Sequence, residues 1–142
     1  MSLAIKLVGA KQNNKRLESF SAECVQEVVN GVNRAAGVVL SGAKAACPVD
    51  TGNLRESIHI QPATSAEPIT ATVGTGVEYA PFVEFGTGRR GGYPYETSVA
   101  LSYNKDWPGQ AAQPFLGRSL HQNEKTIRTI VQESVNRAVK HV

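Results

Sequence analysis

The sequence CPVDTGNLRESIHI, residues 47–60, separates a long helical part of the chain from a strand-rich part. Its proline ends the preceding helix, because it lacks an N–H and its ring clashes with the turn before it. Asp50 and Thr51 can cap with side-chain oxygens, and Gly52 gives a backbone that is free to bend. We therefore predict a structural turn at these three residues and a strand that begins at about Leu54.

Upstream of this turn, the hydrophobic pattern predicts a short strand and then one long helix. From Leu3 to Val8, every second residue is a leucine or isoleucine, and this alternation is the period of a strand with one better-buried face. From Leu17 to Ala46, apolar residues recur every three or four positions and trace one face of a helix of about thirty residues. Each of its glycines, Gly31, Gly37 and Gly42, costs about 1 kcal/mol relative to alanine. We expect that close packing against a sheet offsets this cost, or that the helix has a kink near Gly37.

Downstream of the turn, the pattern predicts a hairpin and two further helices. Leu54–Gln61 and Ile69–Thr75 each have one apolar face, which favours an antiparallel pair. Glu78–Phe85 has helical spacing and is ended by Gly86, and the last helix begins at Pro114. The predicted class is α+β: a small antiparallel sheet packed against one long N-terminal helix, with a long flexible loop and a C-terminal helix.

The loop from Gly86 to Gly109 combines five glycines with two arginines and four aromatic side chains. A structureless connection of this length is rare inside a compact domain, so it is either functional or disordered until a partner arrives. Its aromatic content argues against pure disorder, and Thr97–Tyr103 could form a strand arm. We predict that the loop is mobile in the isolated monomer and is ordered by neighbouring subunits.

Length and composition predict a single domain over residues 1–142. The net charge of +3 permits a nucleic-acid surface without demanding one. No run of eighteen apolar residues or signal-peptide pattern is found, so we expect no membrane span and folding in a cytoplasm. Cys24 and Cys47 would lie about 35 Å apart on a continuous helix, which excludes an intrachain disulfide.

Searches of the sequence for catalytic chemistry are negative. There is no nucleophile elbow, no phosphate-binding loop and no Cys/His pair at metal-ligand spacing, and the three histidines are scattered. Asp50 is better explained as a cap than as a catalytic acid. Arg55 could pair with Glu84 or Glu78, which explains it better than substrate binding does. We therefore expect no enzyme activity, no cofactor and no metal.

Three phrases in order carry a resemblance to a known family: PVDTGNLRESI at residues 48–58, YAPFVEFGTG at 79–88 and AQPFLGRSL at 112–120. Together they resemble the neck or tail-completion (head–tail joining, minor tail component) family of long-tailed double-stranded DNA phages, from about Leu17 to the C-terminus. The resemblance implies a structural virion protein without catalysis. It also implies assembly as a ring at the head–tail junction, after folding in the bacterial host cytoplasm.

The partners that the resemblance implies are other copies of the chain and other virion proteins. We expect a homo-oligomeric ring, taken as a hexamer, between head-connector proteins and tail-tube or tail-terminator proteins, with a passing contact with DNA left open and no membrane contact. The hypothetical subunit interface combines the aromatic and basic residues around the loop with the start of the last helix: Tyr79, Phe82, Phe85, Arg89, Arg90, Tyr93, Tyr95, Trp107, Pro114 and Phe115.

Two other function classes remain open at this stage. A nucleic-acid-binding module would use Arg89, Arg90 and the loop tyrosines for phosphate contact and base stacking, although the basic pair occurs once and no sheet platform carries the aromatics. A small hydrolase or other enzyme is the third class, but no acid–base or nucleophile constellation can be named for it. The structural reading has the most support.

Overall fold

A computed structural model describes residues 22–49, 52–66 and 68–140, and the backbone of residues 3–9. It confirms the predicted α+β class. Strands and helices are mixed along the chain up to α3, and a 3-10 turn at Gly88–Arg90 lies between α3 and the C-terminal helices. The elements are β1 (Leu3–Gly9), α1 (Ala22–Ala46), α2 (Asn53–Ser57), β2 (His59–Gln61), β3 (Ile69–Thr75), α3 (Ala80–Phe85), α4 (Phe115–Gln122) and α5 (Glu124–Lys140).

The three strands form one antiparallel sheet in the order β1-β3-β2. The register of the first pair runs from Leu3 opposite Thr75 to Gly9 opposite Ile69. In the second pair, His59 to Gln61 lie opposite residues 74 to 72. The predicted first strand, the strand Ile69–Thr75 and the antiparallel hairpin are therefore confirmed.

The prediction of a strand from Leu54 is wrong, because residues 53–57 form a short helix and the strand covers only His59–Gln61. Leu54 and Ile58 are four residues apart and both are buried, which is the spacing of a helical turn. The Ser57 hydroxyl donates to the Leu54 carbonyl at 2.6 Å and lies 2.6 Å from the Thr75 hydroxyl. Gly52 has φ 81°, as a turn requires, while Asp50 and Thr51 lie outside the described residues.

Helix α1 covers the sheet, as the sequence predicts. Val28, Val32 and Val39 are completely or almost completely buried, and α1 contacts all three strands. Its most extensive contacts, however, are with α5 and α4. The helix thus packs against both the sheet and the C-terminal helices, and α4 also contacts β1. The part of the predicted helix before Ala22, including Leu17, is outside the described residues.

Two of the three glycines of α1 mark its closest contacts with the C-terminal helices. A Cβ atom at Gly31 would meet the side chain of Ser134, and one at Gly42 would meet Ser119, whereas the same position at Gly37 is open. The Ser119 hydroxyl donates to the Val39 carbonyl at 2.7 Å, so the helices approach closely enough for a side chain to bond to the facing backbone. Close packing is therefore the explanation for two glycines, but against helices rather than against the sheet.

The predicted single C-terminal helix is two helices, separated at Asn123. The side-chain amide of Asn123 donates to the Ser119 backbone carbonyl at 2.8 Å. The Ile127 N–H donates to the Asn123 backbone carbonyl at 2.8 Å. An asparagine side chain that bonds to nearby backbone competes with helix propagation. Pro114 lies immediately before α4, one residue from its predicted place and within the uncertainty of helix boundaries.

Candidate interaction site

A buried carboxylate on α3 joins that helix to the start of α4. Glu84 is 1% exposed, and its Oε1 accepts a hydrogen bond from the Leu116 N–H at 2.9 Å. Its Oε2 accepts one from the Gly117 N–H at 3.1 Å. These N–H groups lie in the first turn of α4, where no intrahelical acceptor exists. Since Pro114 has no side-chain acceptor, Glu84 caps α4 from 32 residues away in the sequence.

Tyr93 in the loop completes the environment of this carboxylate. Its hydroxyl donates to Glu84 Oε2 at 2.6 Å. Burial raises the pKa of Glu84 above its ordinary value of 4.5, and the hydrogen bonds that the carboxylate accepts only partly oppose this rise. The pKa of Tyr93 is also raised, by burial and by its hydrogen bond to Glu84. The loop, α3 and α4 therefore share one buried polar network.

An aromatic row extends from this network along the loop to α4. The rings of Phe85 and Tyr93 meet edge to face with centroids 4.7 Å apart, and Tyr93 and Tyr95 do so at 5.5 Å. Tyr95 in turn lies 5.1 Å from the ring of His121. A Cβ atom at position 117 would meet the Tyr93 hydroxyl, so Gly117 provides the space for this approach. The loop tyrosines thus pack within their own chain and need no neighbouring subunit.

The base of the loop is closed by backbone hydrogen bonds. Thr87 and Gln110 exchange two N–H···O bonds of 2.9 and 3.0 Å. The Arg89 N–H donates to the Trp107 carbonyl at 2.8 Å. Gly88 and Gly109 have φ values of 63° and 65°, and an added Cβ on either would collide with the other segment. Only glycine allows two strands of chain to approach in this way.

This closed base presents a basic turn, Arg89–Arg90, on the surface. Both arginine side chains are exposed, and neither forms an ion pair with any residue that the structure describes. Trp107 lies beside the turn and is 53% exposed. The turn is therefore a preformed projection with two free guanidinium groups and one exposed aromatic ring.

The outer part of the loop is more exposed than its base and has fewer backbone hydrogen bonds. Residues 94–102 are exposed apart from Tyr95, and the described chain shows no backbone–backbone hydrogen bond from residues 94 to 106. The strand arm proposed for Thr97–Tyr103 is not formed. The Tyr103 hydroxyl donates to the Phe85 carbonyl at 2.8 Å and ties the far side of the loop back to α3.

The two parts of the loop are expected to differ in mobility. In dilute monomer, we expect the amides of residues 96–102 to exchange with solvent almost without protection, because none of them donates to a backbone carbonyl of the described chain and only the Val99 N–H has a side-chain acceptor, the exposed Thr97 hydroxyl. The amides of Thr87, Arg89 and Gln110 should exchange much more slowly. Hydrogen exchange followed by mass spectrometry, with β3 as the protected reference, measures both. Protection of residues 96–102 equal to that of β3 would contradict the prediction.

The residues proposed for the subunit interface fall into three groups by exposure. Tyr79, Phe82 and Trp107 are exposed, as are the two arginines of the basic turn. Tyr93 and Tyr95 are half-buried in the aromatic row. The side chains that the structure places in the interior, and so away from any outer surface, are Phe85, Pro114 and Phe115.

The cap that Glu84 provides was not predicted from the sequence. The predicted pairing of Arg55 with Glu84 or Glu78 is wrong, because the Arg55 Nε donates instead to the Lys44 carbonyl at 3.0 Å. One signal was available: Glu84 is a single carboxylate among the apolar residues of α3, one residue before Phe85. A charge in such a segment indicates a buried partner.

Residues 11–86 match the model of a protein family described as "Bacteriophage HK97-gp10, putative tail-component". The match covers more than half of the 142 residues. The chain belongs to this family. No curated protein and no solved structure matches it.

Membership confirms the resemblance and makes the chain a phage tail component, which is a structural virion protein. The matched region includes α1, the strands β2 and β3, and α3; it begins after β1 and ends at Gly86. The basic turn, α4 and α5 lie beyond it, as does the third phrase of the resemblance. Among the described helices of this tail component, none is long and apolar enough to cross a membrane.

Proposed function

We propose that this tail component is the subunit of a homo-oligomeric ring at the head–tail junction of the virion. The ring, taken as a hexamer, would lie between head-connector proteins and tail-tube or tail-terminator proteins, and the subunit has no catalytic role. The support is the family membership together with one structural observation. A short helix, α3, is anchored from inside and presents aromatic side chains outward.

The two sides of α3 differ sharply in exposure. Ala80 and Glu84 are buried at 0% and 1%, so the helix is fixed against α4. Phe82 is 59% exposed and Tyr79 is 43% exposed. An anchored helix that holds large aromatic rings in solvent is typical of a contact surface, since aromatic side chains contribute strongly to protein interfaces. In a head-to-tail ring, this surface would meet a different face of the next subunit.

Replacement of Phe82 by serine tests this proposal. Burial of one phenylalanine contributes about 1.5 to 3 kcal/mol, so each subunit contact should weaken by at least about tenfold. The free energy of unfolding should change by less than about 0.5 kcal/mol, because the ring is exposed in the monomer. In a complementation assay for infectious particles, heads and tails should accumulate unjoined.

Val139→Ser is the matched control, because Val139 is 44% exposed and lies on α5, away from α3. This variant should form particles at the wild-type yield. A normal yield of joined particles with Phe82→Ser would remove the support for α3 as the contact surface. Electron microscopy of the particles distinguishes unjoined heads and tails from particles that fail at another step.

Contact with DNA is the second candidate function. The exposed basic turn and Trp107 favour it, since arginine and an aromatic ring are the usual elements of nucleic-acid contact. Base stacking on the loop tyrosines, which this function would also use, has less support. Tyr93 and Tyr95 pack in the aromatic row and are not free to stack with bases. We therefore place DNA contact behind ring assembly.

A further inference from the structure

A cavity of about 730 Å³ lies between the outer part of the loop and helix α4. This volume is within the range of about 300 to 1,000 Å³ that is typical of binding clefts. One wall is aromatic and consists of Phe85, Tyr93 and Tyr95. The opposite wall is apolar and belongs to α4, with Leu116 and Leu120. The aromatic row and α4 therefore form its packed walls, and exposed residues of the outer loop, 94 and 96–99, complete its rim.

Three carboxylates line the same cleft. Glu84 lies at its base, and Glu96 and Glu124 lie at its exposed rim. Glu124 also pairs with Arg128 at 2.7 Å, but the two side chains are 52% and 77% exposed, and such pairs contribute little to stability. A cleft with one sign of charge and apolar walls concentrates the electrostatic field. The cleft fits a guanidinium or ammonium group with an apolar stem.

The same chain presents the matching group elsewhere on its surface. The basic turn has two exposed guanidinium groups without an ion pair among the described residues, and backbone bonds at the loop base hold it in place. Neither Arg89 nor Arg90 lines the cleft of its own chain. The turn is thus available to another molecule, and its rigidity lowers the entropy cost of binding.

We propose that this cleft is the socket for the Arg89–Arg90 turn of a neighbouring copy of the chain. The inference rests on the proposed ring and names one of its contacts. The turn and the socket are different surfaces of one molecule, so the contact is head to tail and can repeat from subunit to subunit until a ring closes. With Trp107 beside the turn, the contact would also bury an exposed aromatic ring.

Reciprocal charge reversal tests the contact in the full-length protein. The turn variant carries Arg89→Glu and Arg90→Glu, and the socket variant carries Glu96→Lys and Glu124→Lys, with Glu84 retained because it caps α4. Each variant alone should lose self-association by at least about tenfold, since like charges then face each other. An equimolar mixture should recover it, because each turn then meets a socket of opposite charge. Native mass spectrometry reads the assembly state.

The mixture also reports on ring size. Turn and socket variants can associate only in alternation, so a closed ring needs an even number of subunits. A hexamer should contain three of each. Glu133→Lys and Lys140→Glu, both exposed on α5 and outside the cleft, are the matched charge controls and should assemble like the wild type.

A second measurement leaves the charges unchanged. A photo-reactive amino acid at position 98, on the cleft wall, should crosslink to a peptide that contains Arg89 of another chain, both in the purified oligomer and in assembled particles. Crosslinks only to other segments would overturn the contact.

The remaining outcomes separate this inference from the ring proposal. If the turn and socket variants assemble normally, or if mixing restores nothing, the contact is wrong while the test with Phe82→Ser still decides the ring. If the turn variant loses salt-sensitive DNA affinity and keeps its self-association, the turn binds DNA and the contact is wrong. If the wild type does not crosslink from position 98 in particles, the contact is wrong, and if Phe82→Ser also gives joined particles at the normal yield, both proposals fail.

Discussion

Replacement of Glu84 by alanine is expected to lower the free energy of unfolding by about 2 to 4 kcal/mol. The variant leaves the N–H groups of Leu116 and Gly117 without an acceptor at the start of α4, and it leaves the Tyr93 hydroxyl without its partner. The desolvation cost that raises the pKa of Glu84 disappears with the carboxylate, which keeps the loss below the sum of the three hydrogen bonds.

Chemical denaturation followed by circular dichroism measures this loss. Hydrogen exchange at Leu116 and Gly117 should show that their protection falls further than that of β3. Glu78→Ala is the control, because Glu78 is exposed two residues before α3 and should change stability by less than about 0.5 kcal/mol. Glu84→Gln should be intermediate, since its amide can accept one N–H bond but presents an N–H group to the other donor. A loss below about 0.5 kcal/mol with Glu84→Ala would show that α4 does not depend on this cap.

The three glycines of α1 are expected to respond in opposite directions to the same substitution. Gly31→Ala and Gly42→Ala should each destabilise the protein by about 1 to 3 kcal/mol, because a Cβ atom at either position overlaps a serine of α5 or α4. Gly37→Ala should instead stabilise it by up to about 1 kcal/mol, since its Cβ position is open and alanine is the better helix former.

Thermal and denaturant unfolding of the three variants gives the comparison, with Gly37→Ala as the matched control on the same helix. A double-mutant cycle tests the cause. Removal of the facing side chain by Ser119→Gly should reduce the loss seen with Gly42→Ala, although Ser119→Gly also removes the bond to the Val39 carbonyl. Equal stability of Gly37→Ala and Gly42→Ala would contradict the close contact between α1 and α4.

Much of the fold could be predicted because its signals are local. The alternation before Gly9, the three- and four-residue spacing along α1, and the glycine that ends α3 each depend on residues within one or two turns. The prediction of a strand at Leu54 was wrong because it, too, used only local signals. A short apolar run with few residues fits both periods, and the burial of Leu54 and Ile58 on one helical face depends on α1 and the sheet.

The candidate site could be predicted only in outline. Tyr79, Phe82 and the basic turn were proposed for a subunit interface from their place beside the glycine-rich loop, and in the structure their side chains are exposed. Phe85 and Phe115 were assigned to the same set, yet both are buried. Aromatic residues occur both in cores and in interfaces, so the sequence does not show which of them are buried. Their exposure has to be read from the structure.

The sequence by itself determined the family of this tail component, the α+β class and the positions of most helices and strands, since these follow from the order and spacing of neighbouring residues. Only the tertiary structure decided that Glu84 caps a helix 32 residues later, that Gly31 and Gly42 face serines of other helices, and that the loop tyrosines pack in a row. The cap and the glycine contacts join distant parts of the chain, as does the contact of the tyrosine row with His121 of α4. Local spacing carries no information about which distant groups will meet, because that depends on how the helices and the sheet pack together.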